Sequence, residues 1–553
     1  MNIKQLTNRF VIILFIFLNL NLFNITVTYA DAKIIKRSEL AEDQTFHRGN
    51  GEEVDSLDPA RATGVPAFNV IADLYEGLMT IDQSGQLILG QAEKYTISKD
   101  LKTYTFTLKD NLKWSNGDQL IAEDFVVGMR RTVDPKVASV YADIMKPIKN
   151  AEKIVDGKLD VSSLGVRALD SKTVEITLEK PTPYFLELLV HSTTFPIHQP
   201  SLKLYGNEFI KPGKLVSNGP FILQEWVVNS HLTVVKNKNY QDAAQVILNK
   251  VIFYPIIEQS AELNRYRSGD LDYTNIIPDV QYKWIKENLG QELYVAPQLG
   301  TYYVGFNLLR PPFKDNKNLR KALSLVIDKN IIAEKVLRSG QIATNHIVPD
   351  KINNYVPIVN RRTNFDNLAN LSAEQRIILA QDYYHKAGYS KENPVYIKLT
   401  YNTSESHKSV ALAMAAMFKK ALGVKTELVN QEWKVFLRTR QERKETELFR
   451  DGWIGDYNDP STFLDLFTSY HHQNHSGFKN PEYDNLITQA SVQADSTKRA
   501  EILAEAEQIL LEEAPIIPLY TYASRHLIKP KVGGFVSNIL DMTYDRYIYI
   551  KKT

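Results

Sequence analysis

Apolar and polar residues alternate at period two in two short runs, Tyr104-Thr105-Phe106-Thr107-Leu108 and Val174-Glu175-Ile176-Thr177-Leu178. That spacing predicts half-buried strands. Leu232–Lys236 and Val251–Pro255 are more continuously apolar and predict buried strands between loops. Asn116-Gly117 is a strong turn signal, and Pro181 and Pro183 break the chain after the second alternating run. Ala122–Phe125 opens a helix that stops near Asp134-Pro135. From about residue 315 the period becomes helical. Helices are expected over Asn318–Ile327, from Asp328 through Arg338, and over 406–422 up to Gly423. Ser372 and Gln375 have capping-box spacing for a helix to Ala387, and Ser496–Glu512 precedes Ala514-Pro515. Val395–Leu399 and Lys425–Val429 are strands between these helices. Alternating strands and helices argue for α/β layers. With no internal repeat and no Gly/Ser- or Pro-rich linker, the pattern implies domains built from discontinuous segments.

The first 30 residues stand apart. Lys4 and Arg9 precede an uncharged stretch from Phe10 to Phe23, and small residues around Ala30 suggest a cut before Asp31. This is the layout of a cleaved secretory signal. The apolar run is shorter than the roughly 20 residues that a spanning helix needs. The whole chain of 553 residues carries 66 Lys+Arg against 64 Asp+Glu. Both excess positive charges lie in the signal, so the mature chain is balanced and offers no electrostatic case for nucleic acid. With 0 Cys there is no disulfide, thiolate metal site, thiol nucleophile or lipidated Cys. A soluble exported protein is expected.

The sequence lacks the G-x-S-x-G, H-E-x-x-H, G-x-G-x-x-G and Walker patterns. His471, His472 and His475 form a histidine cluster, but Gln473, Asn474, Ser476 and Gly477 around them read as a solvated loop, so no metal site is expected. Asp451, Asp456 and Asp459 read as one short loop without calcium-loop spacing. Asp459-Pro460-Ser461 reads as the cap of a helix over Phe463–Phe467. The segment from Phe449 to Pro460 is nevertheless rich in groups that recognise ligands. Arg450 can grip a carboxylate through two parallel hydrogen bonds. Gly452 and Gly455 allow close backbone approach, Trp453 offers a flat wall, and Asp456 is a candidate counterion for an ammonium group. Trp433 and Arg440 add a second aromatic and a second guanidinium.

Together these motifs resemble the periplasmic oligopeptide-binding proteins, the solute-binding components of peptide ABC transporters. The resemblance runs from about Asp55-Ser56-Leu57-Asp58-Pro59 to Tyr549. It includes Asp73-Leu74-Tyr75-Glu76-Gly77, Asp110–Gly117, Asn264–Gly269, Tyr401–His407 and Lys531–Gly534. It implies two α/β lobes closing about a hinge, with an additional inserted domain. The expected segments are 31–75, 202–299 and 524–553 for the first lobe, 76–201 for the inserted domain and 300–523 for the second lobe. It also implies short peptides as ligands, an inner-membrane permease as partner, a monomer, no cofactor and no catalysis.

By resemblance, Asp456 pairs with the peptide ammonium, and main-chain groups of Val65, Gly452 and Ile454 bond an extended peptide. Tyr141, Tyr303 and Tyr522 line the cleft, and Trp433 and Trp453 border side-chain pockets. His407, Arg440 and Arg450 can meet the carboxylate, directly or through water, depending on peptide length. Thr63 stands where the family's prototype has glutamate, Leu337 where it has lysine, and Gly300 and Ile454 where it has a bridged cysteine pair. These departures leave a specialised murein-peptide binder as an alternative. A periplasmic hydrolase is the alternative from another class, for which the chain supplies no convincing nucleophile–base pair.

Overall fold

The computed structural model describes residues 37–552 except 351, 353–354, 356–370, 444–445, 456 and 472, and the backbone alone at Trp433 and Lys434. The expected signal lies outside the described residues. Arg37–Glu39 forms one short 3-10 turn, and Ala41–Thr553 is a separate compact unit.

Three larger sheets organise that unit. In the first, Thr45–Gly49 runs parallel to Lys250–Tyr254, followed by His231–Lys236 and Phe221–Val227 in antiparallel order. The second is an antiparallel set of Ala92–Ile97, Thr103–Leu108, Thr173–Thr177 and Val166–Asp170. Its central strands bury every second residue, as their alternation requires. Phe46, Phe106, Phe125, Val174 and Val251 belong to one continuous core shared by both sheets.

The third sheet contains β1 (Leu293–Phe306), β2 (Ile342–Ala343), β3 (Tyr396–Asn402), β4 (Lys425–Gln431), β5 (Leu448–Ile454) and β6 (Ile516–Leu527), in the order β2-β6-β1-β5-β3-β4. Helix α1 (Glu405–Leu422) connects β3 to the parallel β4, and α2 (Trp433–Glu442) follows β4. Separate apolar clusters pack against this sheet, one around Tyr302, Val304 and Leu399, the other around Tyr303, Phe463 and Leu510. Helix α1 ends at left-handed Gly423, as expected, and is opened by Ser404, whose side chain accepts from His407 N–H. The Ser372 capping box is formed as expected. The helix expected from Asp328 through Arg338 is a π-helix over Ile331–Leu337.

β1 and β6 connect the third sheet to the rest. They pair antiparallel from Leu293 opposite Leu527 to Gly305 opposite Ile516, with irregular register between Pro297 and Thr301. Beyond their outer end, Thr274 N–H donates to Leu527 C=O at 3.0 Å, and Ile528 bridges Tyr273. The segment boundaries expected at 299/300 and 523/524 fall inside these two strands.

The core shared by the first two sheets also takes in residues 532–550. Arg48 pairs with Asp545 at 2.8 Å, Arg546 pairs with Glu76, and Gln44 and Ile550 exchange hydrogen bonds of 2.8 and 2.9 Å.

Glu262 is fully buried. Its carboxylate accepts the N–H groups of Asn275 at 2.7 Å and Ile276 at 3.3 Å, and a Cβ on Gly49 would lie 1.6 Å from its Oε1. Burial pushes this carboxyl up to about 7, against the opposing pull of the two N–H groups. A carboxyl with a raised folded-state value stabilises the fold below its unfolded value and loses that contribution as pH rises through about 7. Glu262→Gln is therefore expected to flatten the stability–pH curve between roughly pH 4.5 and 7. At about 1.36 kcal/mol per pKa unit the difference is on the order of 3 kcal/mol. Urea midpoints at pH 5 and 7.5 check this, and parallel curves for the two proteins would refute it.

Candidate functional site

β3 lies parallel to β4 and to β5, so the carboxyl ends of all three strands face one edge of the sheet. In α/β sheets ligands bind beyond such ends. Buried polar atoms without a hydrogen-bond partner gather here among the described residues: Asn402 Oδ1, His407 Nδ1, Gln431 Oε1 and Arg450 Nε. Asn402 and Gln431 are register partners at the ends of β3 and β4.

The pairing of β5 is one-sided over most of its length. β1 accompanies it from Gly300–Ile454 to Phe306–Leu448. β3 meets it only at Leu448 and Phe449. From Arg450 to Ile454 the other edge of β5 has no strand partner among the described residues.

Period-two alternation sorts the side chains of β5 onto two faces. On one face, Arg450 lies over the Tyr302 ring at 5.1 Å and donates through Nη2 to Tyr522 Oη at 3.3 Å. No carboxylate lies within ion-pair distance of Arg450 among the described residues. Tyr302 stacks on Tyr520 at 4.7 Å and packs against His407 at 5.6 Å. The Asn402 carbonyl accepts a hydrogen bond from the His407 ring, which leaves Nδ1 as the unpartnered nitrogen. Burial, then the nearby Arg450 charge, push His407 down to about 4, so it is neutral at physiological pH. Among the described residues, this face therefore presents a guanidinium without a carboxylate partner beside a neutral imidazole.

The other face is neutralised internally. Asp451 is buried, pairs with Arg440 of α2, and accepts from His475 Nδ1 at 2.9 Å and from Gly452 N–H at 2.9 Å. Burial alone would raise its carboxyl; the His475 hydrogen bond and the Arg440 charge outweigh it and hold the group below its ordinary value. Tyr303 is buried on this face, edge-on to Phe467 at 5.8 Å, and Trp453 Nε1 donates to Thr462 Oγ1 at 3.1 Å.

Several expectations change accordingly. Arg440 and Arg450 do not converge: Arg440 is taken by Asp451, on the face of β5 away from Arg450. Asp451 sits on a strand, not in a loop shared with Asp459. Asp459 does cap the following turn, accepting from Ser461 N–H at 2.9 Å, and also forms a two-pronged pair with Arg499 at 2.6 and 2.8 Å. The histidine loop is not solvated: Asn474, His475 and Ser476 are buried, because the Asn474 side chain satisfies carbonyls and N–H groups within its own turn. Asp456 and His472 lie outside the described residues. Trp433 begins α2.

The remaining candidates lie on other segments. Thr63 precedes the helix Gly64–Leu74 and donates through N–H and Oγ1 to Asp55, at 2.9 and 2.5 Å. Val65 is 61% exposed on the first turn. One turn further, Phe68 meets Tyr141 at 5.5 Å and His191 at 5.1 Å. Ile454 is exposed, and it lies directly opposite Gly300. Tyr302 and Tyr520 were missed as site residues. The i, i+2 relation of Tyr520 to Tyr522 was the available signal.

Two groups of sheets joined by paired strands, with unpartnered polar groups at strand ends, define a two-lobed α/β solute-binding protein. Residues 86–475 match the model for bacterial extracellular solute-binding proteins, family 5, middle region, and the chain belongs to that family. The chain is 40% identical over 534 residues to the periplasmic murein peptide-binding protein MppA of Escherichia coli K12, covering 96% of this chain and 97% of the relative. It is 38% identical over 517 residues to the periplasmic oligopeptide-binding protein OppA of the same organism, covering 93% and 94%. Among solved structures, the unliganded open form of the MppA murein tripeptide-binding protein superposes with a TM-score of 0.86 at 40% identity, covering 93% of this chain and 99% of that one.

Proposed function

We propose that this chain captures short peptides between its lobes and delivers them to the permease of an ABC transporter. The observation that carries the reading is the edge of β5 from Arg450 to Ile454, which among the described residues has no second strand partner and lies beside a guanidinium without a carboxylate partner. A strand edge offers N–H and C=O groups to any extended peptide, whatever its side chains. Arg450 supplies the charge for the ligand's carboxylate. Family membership and the periplasmic peptide-binding relatives support the same reading.

Asp456 is the proposed ammonium anchor. Main-chain groups of Val65, Gly452 and Ile454 bond the peptide, and Tyr141, Tyr522, Trp433 and Trp453 border its side chains. The protein acts as an exported monomer, cut after Ala30, without turning its ligand over. The lobes comprise 31–75, 202–299 and 524–553, and 300–523, with 76–201 inserted, and they close by bending β1 and β6 near the irregular pairing at Pro297–Thr301. The 40% identity to a murein peptide-binding protein favours murein peptides as a second ligand reading.

Mass spectrometry of ligands released from gently purified protein separates the two: a mixture of unrelated short peptides supports general capture, and one murein species supports the second. Calorimetry tests the anchor. Asp456→Asn is expected to weaken peptide binding roughly 100-fold or more, since unpairing a buried charge costs about 3–5 kcal/mol. Unchanged affinity would remove Asp456 from that role.

A further inference from the structure

We propose that Tyr522 is a positioning residue that holds the Arg450 guanidinium in the orientation that receives a ligand carboxylate. The inference rests on the reading of Arg450 as a carboxylate site.

Tyr522 lies on β6 opposite the irregular stretch of β1 between Pro297 and Thr301. Its ring reaches across β1 to β5 because both strands lack a side chain where it passes. A Cβ on Gly300 would lie 2.8 Å from the Tyr522 ring, and a Cβ on Gly452 would lie 2.5 Å from its hydroxyl oxygen. Real Cβ atoms do not approach so closely, so the two glycines form the bed on which the ring rests. Edge-on contacts with Tyr302 at 6.3 Å and Tyr520 at 5.8 Å fix the ring's plane.

The hydroxyl placed in this way accepts from Arg450 Nη2 at 3.3 Å, while the face of Tyr302 supports the guanidinium at 5.1 Å. A guanidinium has five N–H donors, so this bond leaves others for a ligand. Nε is buried and has no hydrogen-bond partner among the described residues. A carboxylate meeting Arg450 side-on would take that N–H together with one from an Nη, the two-pronged geometry that gives such pairs their strength. Without the phenol hydroxyl the fork is free to rotate, and binding must restrict it.

Tyr522→Phe removes the hydroxyl and keeps the ring. Calorimetric titration with a short peptide and with its C-terminal amide is the test. In the wild-type protein the free acid binds more tightly than the amide. In Tyr522→Phe, affinity for the acid is expected to fall about 5–10-fold, the net scale of one intramolecular hydrogen bond. Affinity for the amide changes less than about 2-fold, because the amide does not use the guanidinium charge. Gly452→Ala displaces the hydroxyl from the other side and is expected to narrow the acid/amide ratio in the same way. Equal losses for acid and amide, or an unchanged ratio in both variants, would overturn the positioning role and leave the carboxylate reading standing. A wild-type protein indifferent to amidation would overturn both.

Discussion

Glutamine in place of Arg450 is expected to weaken binding of unmodified short peptides about 100-fold, with the melting temperature little changed. The affinity loss follows from removing the charge on the proposed ligand-facing side of β5; a charge-assisted, two-pronged contact is worth about 3 kcal/mol. Stability responds less because the guanidinium has no carboxylate within ion-pair distance among the described residues. Burial works against its charge, and the surrounding Tyr522, Tyr302 and Asp451 outweigh that cost. Calorimetry and thermal melting on one preparation test both halves. A variant that binds normally, or one that loses binding together with its fold, would assign Arg450 a structural role.

Asp451 should show the reverse signature. Asp451→Asn leaves Arg440 buried without its counterion and weakens the His475 contact, and unpairing a buried ion pair costs about 3–5 kcal/mol. The urea midpoint, followed by tryptophan fluorescence, is expected to fall accordingly. A depressed folded-state carboxyl stabilises above its unfolded value and loses that contribution as pH falls through its folded value. The wild-type advantage should therefore persist at pH 7 and vanish in acid below the ordinary value of 3.8. Replacing both partners with apolar residues, Asp451→Leu with Arg440→Met, should recover much of the loss, as apolar substitutes for buried ion pairs often do. Equal midpoints for wild type and Asp451→Asn at pH 7 would contradict this account.

Local signals in the sequence held where a strand or helix declares itself through its own residues. Alternation at 104–108 and 174–178 fell on the strands Thr103–Leu108 and Thr173–Thr177, and Ser372 and Gly423 marked helix ends where the structure has them. The candidate site was legible as a segment but not as an arrangement. Arg450, Gly452, Trp453 and Ile454 read as one cluster, yet a strand sends Trp453 to the opposite face from Arg450. Nothing local announces that Arg440, eleven residues before Asp451, would be taken by it, or that His475 would arrive from beyond β5. The buried turn around Asn474 looked polar because its composition is polar. Its hydrogen bonds close on themselves, which composition does not reveal.

The placement of Arg546, Asp545 and Ile550 beside the first two sheets bears on when their shared core can close. Their partners Glu76, Arg48 and Gln44 are 470, 497 and 506 residues earlier in the chain. A core closed by contacts of such span stays incomplete until residues 545–550 have been made and have arrived, however long the earlier segments have existed. A chain cut short before residue 545 is expected to leave Gln44, Arg48 and Glu76 without these partners, and the core beside the first sheet open.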